Sequence, residues 1–167
     1  MDKKLNNLKV KKLSKIEIGK IVQIASENFS AMKEVNRAKK WITGNFKNYP
    51  RMQYYVAKIK GNILGYILWV EKGGFREKSV WELEQVTVKE EFGRQGIGSQ
   101  LILKSLEQIK NYLKKRGSSL KIIEVKTRKD NTAQDFYRKI LGAKVECLLK
   151  DFYRGDEIVM IARKNQK

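Results

Sequence analysis

The stretch Trp81-Glu82-Leu83-Glu84-Gln85-Val86-Thr87-Val88, followed after a short charged turn by Gly93-Arg94-Gln95-Gly96-Ile97-Gly98-Ser99, decides how the rest of this 167-residue sequence is read. Its first eight residues suit a strand, on which alternation places Glu82, Glu84, Val86 and Val88 on one face. Beyond Gly98, Leu101, Ile102, Leu106, Ile109 and Leu113 recur at helical spacing, and Lys114-Lys115-Arg116-Gly117 supplies the cations and glycine that suit a helix C-terminus. Between strand and helix, the glycines let a backbone approach a ligand closely, and the first helical turn offers unpaired N–H groups to an anion. The segment therefore predicts a seat for a pyrophosphate.

The residues beyond the glycines separate the phosphate-binding patterns that compete for such a segment. A nucleoside triphosphate loop needs Gly-Lys-Ser/Thr, which is absent here, and a dinucleotide fingerprint needs glycine or alanine where Leu101 stands. An ordinary strand-to-helix turn can also carry two glycines. Choosing between that and an anion site requires the remainder of the chain.

Outward from this segment, the sequence gives eleven elements in the order β, α, α, β, β, β, α, β, α, β, β. Leu8 to Leu13 alternates as a first strand, and Ser14 with Glu17 forms a capping box for a helix over Lys15 to Ser30. A second helix covers Glu34 to Asn45. The strands Gln53 to Lys60 and Ile63 to Glu71 flank Gly61-Asn62, a two-residue hairpin signal, and a loop over Lys72 to Lys78 precedes the strand at Trp81. Leu120 to Thr127 is an apolar strand, Asn131 to Ile140 a short helix, and Ala143 to Leu149 and Glu157 to Ala162 are the last two strands. One domain over residues 1–167 is expected from this length and from the lack of repeats or linkers.

Composition narrows the chemistry. With no histidine, imidazole bases and Ser-His-Asp or Cys-His catalysis are excluded, and with one cysteine neither an internal disulfide nor a thiolate-rich metal site can form. Cys147 alternates with apolar neighbours and is expected to be a buried structural thiol. A proton acceptor must be a carboxylate, a tyrosine, a perturbed lysine or a water. Neither a membrane-spanning run nor a signal-peptide core is visible, so a cytoplasmic location is expected.

The chain resembles the GCN5-related N-acetyltransferases. Gly93 to Gly98 is similar to that family's Gln/Arg-x-x-Gly-x-Gly/Ala loop, with Val86-Thr87-Val88 as the apolar triplet before it and Gly93, beside Arg94, where the family carries Gln or Arg. Asp130-Asn131-Thr132-Ala133-Gln134-Asp135-Phe136-Tyr137 resembles the family's Asn-x-x-Ala-x-x-Phe-Tyr helix, and the order of elements is similar throughout. The resemblance implies an α/β (α+β) fold: a mixed, mostly antiparallel sheet of six to seven strands, flanked by about four helices and splayed between strands 4 and 5. It also implies acetyl-CoA as co-substrate, with no metal. Coenzyme contacts are then expected from Val86, Thr87, Val88, Arg94, Gln95, Gly96, Ile97, Gly98, Ser99, Asn131 and Tyr137.

Direct attack of an amine on the thioester is the simplest route without histidine. A backbone N–H of the Val86 to Val88 triplet would polarise the carbonyl, Tyr137 would protonate the departing thiolate, and a base would take the amine's proton. Glu82 and Glu84 are both candidate bases, Glu84 being nearer the expected reaction centre. Glu124 is a third, because Ile123-Glu124-Val125 is similar to the fifth strand of the RimI-like N-terminal and ribosomal-protein acetyltransferases. The acceptor is expected to be an amine of a protein or peptide, with a small-molecule amine or polyamine as the alternative. A net charge of +19, from 37 basic and 18 acidic residues, repels free polyamines and permits contact with nucleic acid or the ribosome. A lysine-rich solubilising surface, or a non-catalytic coenzyme-A-fold module that binds nucleic acid, accounts for the same charge. A monomer and a homodimer are both compatible with the sequence.

Overall fold

Residues 7–164 are described by a computed structural model. Its strands are β1 (Lys9–Lys12), β2 (Met52–Ile59), β3 (Asn62–Lys72), β4 (Lys78–Val88), β5 (Ser119–Arg128), β6 (Lys144–Leu149) and β7 (Glu157–Arg163). The helices are α1 (Ile18–Asn28), α2 (Val35–Phe46), α3 (Ile97–Lys115) and α4 (Ala133–Leu141), in the expected succession. The strands form one mixed sheet in the order β1-β2-β3-β4-β5-β7-β6. β1 and β2 pair antiparallel, as do β5 with β7 and β6 with β7, while β4 and β5 run parallel. The parallel ladder extends from Lys78/Ser119 to Leu83/Val125, and β4 continues to Val88 beyond its last paired residue. This is the succession and sheet that the resemblance implies.

By their contacts the residues cluster into two compact units. The first reaches Trp69 and adds Gln85–Glu107; the second comprises Val70–Glu84 and the chain from Gln108 onward. In the first unit, Ile21, Ile24 and Ala25 of α1 and Ala38 and Ile42 of α2 are fully buried, as are Tyr55 to Ala57 of β2. Every residue of β3 from Ile63 to Glu71 is buried, as expected of a strand covered on both faces. In the second unit Trp81, Ile123, Val125, Met160 and Ala162 form the equivalent core.

Local chemistry sets the element ends. The Glu17 carboxylate accepts from both the N–H and the hydroxyl of Ser14, at 3.2 and 2.7 Å, so the capping box is present. It closes a 3₁₀ turn over Lys15–Glu17, however, and α1 starts only at Ile18. The expected start of α2, Glu34, is its N-cap, with a carboxylate that accepts from the N–H groups of Asn36 (2.8 Å) and Arg37 (2.7 Å). At the end of α3, Ser118 N–H donates to the Leu113 carbonyl (2.8 Å) and Gly117 N–H to that of Lys114 (3.1 Å). With Gly117 at φ 74°, this is a Schellman motif.

Two expectations are corrected. The β2–β3 turn is centred on Lys60 (φ 48°) and Gly61 (φ 83°), one residue earlier than Gly61-Asn62. A type I′ turn needs positive φ at both central positions, which moves Lys60 out of the strand. Cys147 is exposed rather than buried. β6 is the last strand of the sheet, and its register with β7 shifts between Val145 and Cys147, which disrupts the alternation that the sequence suggests.

Gly65 occupies a point of close backbone approach. A Cβ there would lie 2.5 Å from the Thr87 carbonyl oxygen and 2.9 Å from Val88 Cα, while one at Gly44 in α2 would meet nothing within 4 Å. Gly65→Ala is therefore expected to destabilise the protein by about 1–3 kcal/mol through overpacking. Gly44→Ala should stabilise it by about 0.5–1 kcal/mol through helix propensity. Urea denaturation of the two variants checks the opposite signs.

Candidate functional site

The predicted anion seat is built in the first unit. A 3₁₀ turn over Glu90–Phe92 closes with Gly93 N–H on the Glu90 carbonyl at 2.9 Å. A Cβ at Gly93 would come within 3.1 Å of that carbonyl oxygen. The contact is tight, while the extended backbone of Gly93 (φ −61°, ψ 156°) is one that any residue adopts. The chain then passes through Arg94 at φ 58° and Gly96 at φ 80° before α3 begins. The first N–H of α3 to reach back one full turn is that of Gln100, which donates to the Gly96 carbonyl at 3.1 Å. The N–H groups of Ile97, Gly98 and Ser99 precede it and have no carbonyl one turn behind them within the helix. Buried Ile97 anchors the turn, whereas Arg94 and Gly96 are exposed and Gly98 and Ser99 half-exposed. Gln95 donates its side-chain amide to the Glu91 carbonyl at 3.5 Å. Exposed left-handed positions followed by a helix N-terminus fit a phosphate group.

Val86, Thr87 and Val88 are half-buried at the end of β4, and Lys89 N–H donates to the Leu64 carbonyl at 2.8 Å. Gly65 is the residue that this segment needs and that sequence reading misses. Its signal is a lone glycine inside an apolar strand, which marks close backbone approach.

The second unit holds the carboxylates. Parallel pairing sets Glu82 opposite Glu124. Two residues along β5, Lys126 places its ammonium 2.9 Å from Glu82 Oε1 and 2.8 Å from Glu124 Oε1. Lys72 takes the other oxygen of Glu82, at 2.8 Å. Burial alone would raise the Glu82 carboxyl, but the hydrogen bonds and charges of the two lysines outweigh it and hold the group below the ordinary carboxylate range. Burial would likewise lower the Lys126 ammonium, and the two glutamates reverse that and raise it. Glu82 is thus buried and clamped, and Glu124 is half-buried and shares Lys126. Glu84 is the exposed carboxylate of the three. Lys72 and Lys126 do not stand out in the sequence, because their role depends on the β4–β5 register.

Tyr137 lies in α4, half-buried, with its ring 5.6 Å from that of Phe136 at 56°. Burial raises its phenol above the ordinary value, so the hydroxyl keeps its proton. Asn131 is exposed, and its side-chain oxygen accepts the Ala133 N–H at 2.9 Å. It is engaged in starting α4. Its neighbour Asp130 is paired with Arg128 at 2.6 Å.

A comparison with protein families completes the identification: the model of the acetyltransferase (GNAT) family matches residues 19–143. The chain belongs to this family. A comparison with curated proteins gives no match. Among solved structures, the ribosomal-protein-S18-alanine N-acetyltransferase from Escherichia coli is 18% identical with a TM-score of 0.71, covering 96% of each chain. A point mutant of the spermidine N-acetyltransferase SpeG from Vibrio cholerae is 14% identical with a TM-score of 0.72, covering 93% of this chain and 92% of its own. An aminoglycoside 6'-N-acetyltransferase complexed with coenzyme A is 12% identical with a TM-score of 0.73, covering 93% of this chain and 96% of its own. At these identities the likeness shows a common fold, and the acceptors named in the three structures differ. This GNAT chain is accordingly an acetyl-CoA-dependent N-acetyltransferase. Among its described residues no helix is long and apolar enough to cross a membrane.

Proposed function

We propose that this GNAT enzyme transfers the acetyl group to a primary amine of a protein or peptide, by direct attack within a ternary complex. The pyrophosphate of acetyl-CoA would sit on the turn from Arg94 to Ser99, held by the backbone N–H groups of Gly96 to Ser99 and by the charge of Arg94. A backbone N–H of Val86 to Val88 would polarise the thioester carbonyl. The amine nitrogen bonds to the carbonyl carbon, the carbon–sulfur bond breaks, the Tyr137 proton passes to the thiolate, and Glu84 accepts the proton lost by the amine. Asn131 is retained as a coenzyme contact through its side-chain amide, since its oxygen is engaged on α4.

One observation carries the choice of base: Glu82 is buried and held below the ordinary carboxylate range by Lys72 and Lys126, whereas Glu84 is exposed. A carboxylate held below its ordinary range is a poor proton acceptor. Exposed Glu84, on the same strand, takes that role, with Glu82 as the group that fixes Lys72 and Lys126.

A protein or peptide acceptor is supported by the RimI-like Ile123-Glu124-Val125 strand and by the S18-alanine acetyltransferase among the similar folds. The +19 charge opposes the approach of a free polycation such as spermidine. Mass spectrometry of a panel incubated with acetyl-CoA tests this. Peptides with free N-terminal or lysine amines should gain one acetyl group, and spermidine and an aminoglycoside should stay unmodified. Acetylation confined to the small amines would overturn the reading.

A further inference from the structure

The second unit carries a basic surface that acetyl transfer does not use. The turn between β3 and β4 is shaped by Gly73 (φ 70°) and Gly74 (φ 87°) and is pinned at several points. Arg76 donates its backbone N–H to the Gly74 carbonyl at 3.0 Å and its Nε to that of Gly73 at 2.7 Å; Ser119 N–H reaches the Glu77 carbonyl at 2.7 Å. At this turn Phe75 is 62% exposed. The Arg116 guanidinium lies over its ring, 5.0 Å from the centroid, and is itself fixed by two hydrogen bonds to Glu71 at 2.8 and 2.6 Å. A large aromatic held in water by a pinned turn and backed by a fixed guanidinium is a pre-formed flat platform.

Charge lies on the residues that flank it in the turn. A shallow depression of about 710 Å³ includes Lys72, Arg76, Lys78 and Lys121 in its lining, with Glu77 as the acidic member. Lys72 is engaged by Glu82, but Lys78 and Lys121 are exposed.

We propose that this face binds single-stranded RNA, one base stacking on the open side of Phe75 and the neighbouring phosphates contacting Arg76, Lys78 and Lys121. Stacking on an aromatic ring requires an unpaired base, so a single strand fits the platform and a duplex does not. An acidic peptide would satisfy the lysines but leave the platform without use.

Fluorescence anisotropy of the full chain with a labelled oligoadenylate RNA, at several salt concentrations, tests the proposal. Phe75→Ala should weaken binding about 5- to 10-fold with an unchanged salt slope. Lys78→Ala and Lys121→Ala should each weaken binding and lower the log–log salt slope by about 0.7. Lys39→Ala with Lys40→Ala, on the exposed side of α2, should leave affinity and slope unchanged. Acetyl-CoA-induced thermal stabilisation, equal in all variants, would show that folding and the acetyl-transfer site are intact. The proposal is overturned if Phe75→Ala binds as the wild type does, if duplex RNA binds as tightly, if the α2 variant loses as much affinity, or if an acidic peptide competes as well as RNA.

Discussion

Arg116→Met is expected to lower the stability of the fold by about 3 kcal/mol, the lower end of the range for breaking a buried ion pair, because the removed partner is itself 21% exposed. Glu71 is the reason. Its side chain is 1% exposed, and it accepts from both terminal nitrogens of Arg116 and from the Ser79 hydroxyl at 2.9 Å. Ser79 in turn accepts the Trp81 indole N–H at 2.6 Å, and Trp81 packs edge-on against Tyr112 at 6.3 Å. Methionine would fill much of the space and leave a carboxylate buried without its cation. Removing both charges in Glu71→Gln/Arg116→Met should recover most of the loss, since the cost lies in the stranded charge rather than in the missing attraction. Urea denaturation of the single and double variants decides the matter. Equal losses in both would show that Arg116 acts through packing on Phe75 and Tyr112 instead.

The same network marks the boundary of what the sequence makes legible. The order of elements is legible because each element writes its own period: Leu101, Ile102, Leu106, Ile109 and Leu113 trace one face of α3 whatever surrounds it. Helix ends are legible where the capping chemistry is local, as at Gly117; at Ser14 the capping box is legible, but the turn it closes is 3₁₀ and α1 starts at Ile18. The Glu71–Arg116 pair spans 45 positions and the Lys126–Glu82 pair 44. The second follows from strand register and the first from a contact between β3 and the turn after α3, and no local pattern records either. The segment from Trp81 to Ser99 reads as strand, turn and helix because the left-handed positions at Arg94 and Gly96 and the helix start lie within a few residues of one another. The carboxylates can be named as candidates from the sequence, and Glu84 favoured by its expected nearness to the reaction centre, but the burial and clamping of Glu82 appear only once Lys72 and Lys126 are placed. Cys147 goes the other way, because an edge strand with a bulge keeps an apolar pattern without the burial that pattern usually reports.

The acid–base pair is the sharpest test of the proposed chemistry. Tyr137→Phe and Glu84→Gln are each expected to lower kcat by about 10²- to 10³-fold, the usual contribution of a positioned proton donor or acceptor. Acetyl-CoA affinity should be little changed. The pH dependence separates their roles. Burial raises the Tyr137 phenol, so the proton donor stays available beyond the ordinary tyrosine value of about 10, and a tyrosine-dependent alkaline fall must lie above that value and vanish in Tyr137→Phe. Glu82 obeys a different sign. Its folded pKa is depressed, so its stabilising contribution is fully present above the ordinary carboxylate value and is lost as pH falls through the lowered one. Glu82→Gln should therefore remove an acid-side component of stability, measured as the melting temperature against pH, while kcat falls far less than in Glu84→Gln. If Glu82→Gln instead abolishes turnover and Glu84→Gln does not, then Lys72 or Lys126 must release the carboxylate during turnover, and the clamp itself becomes part of catalysis.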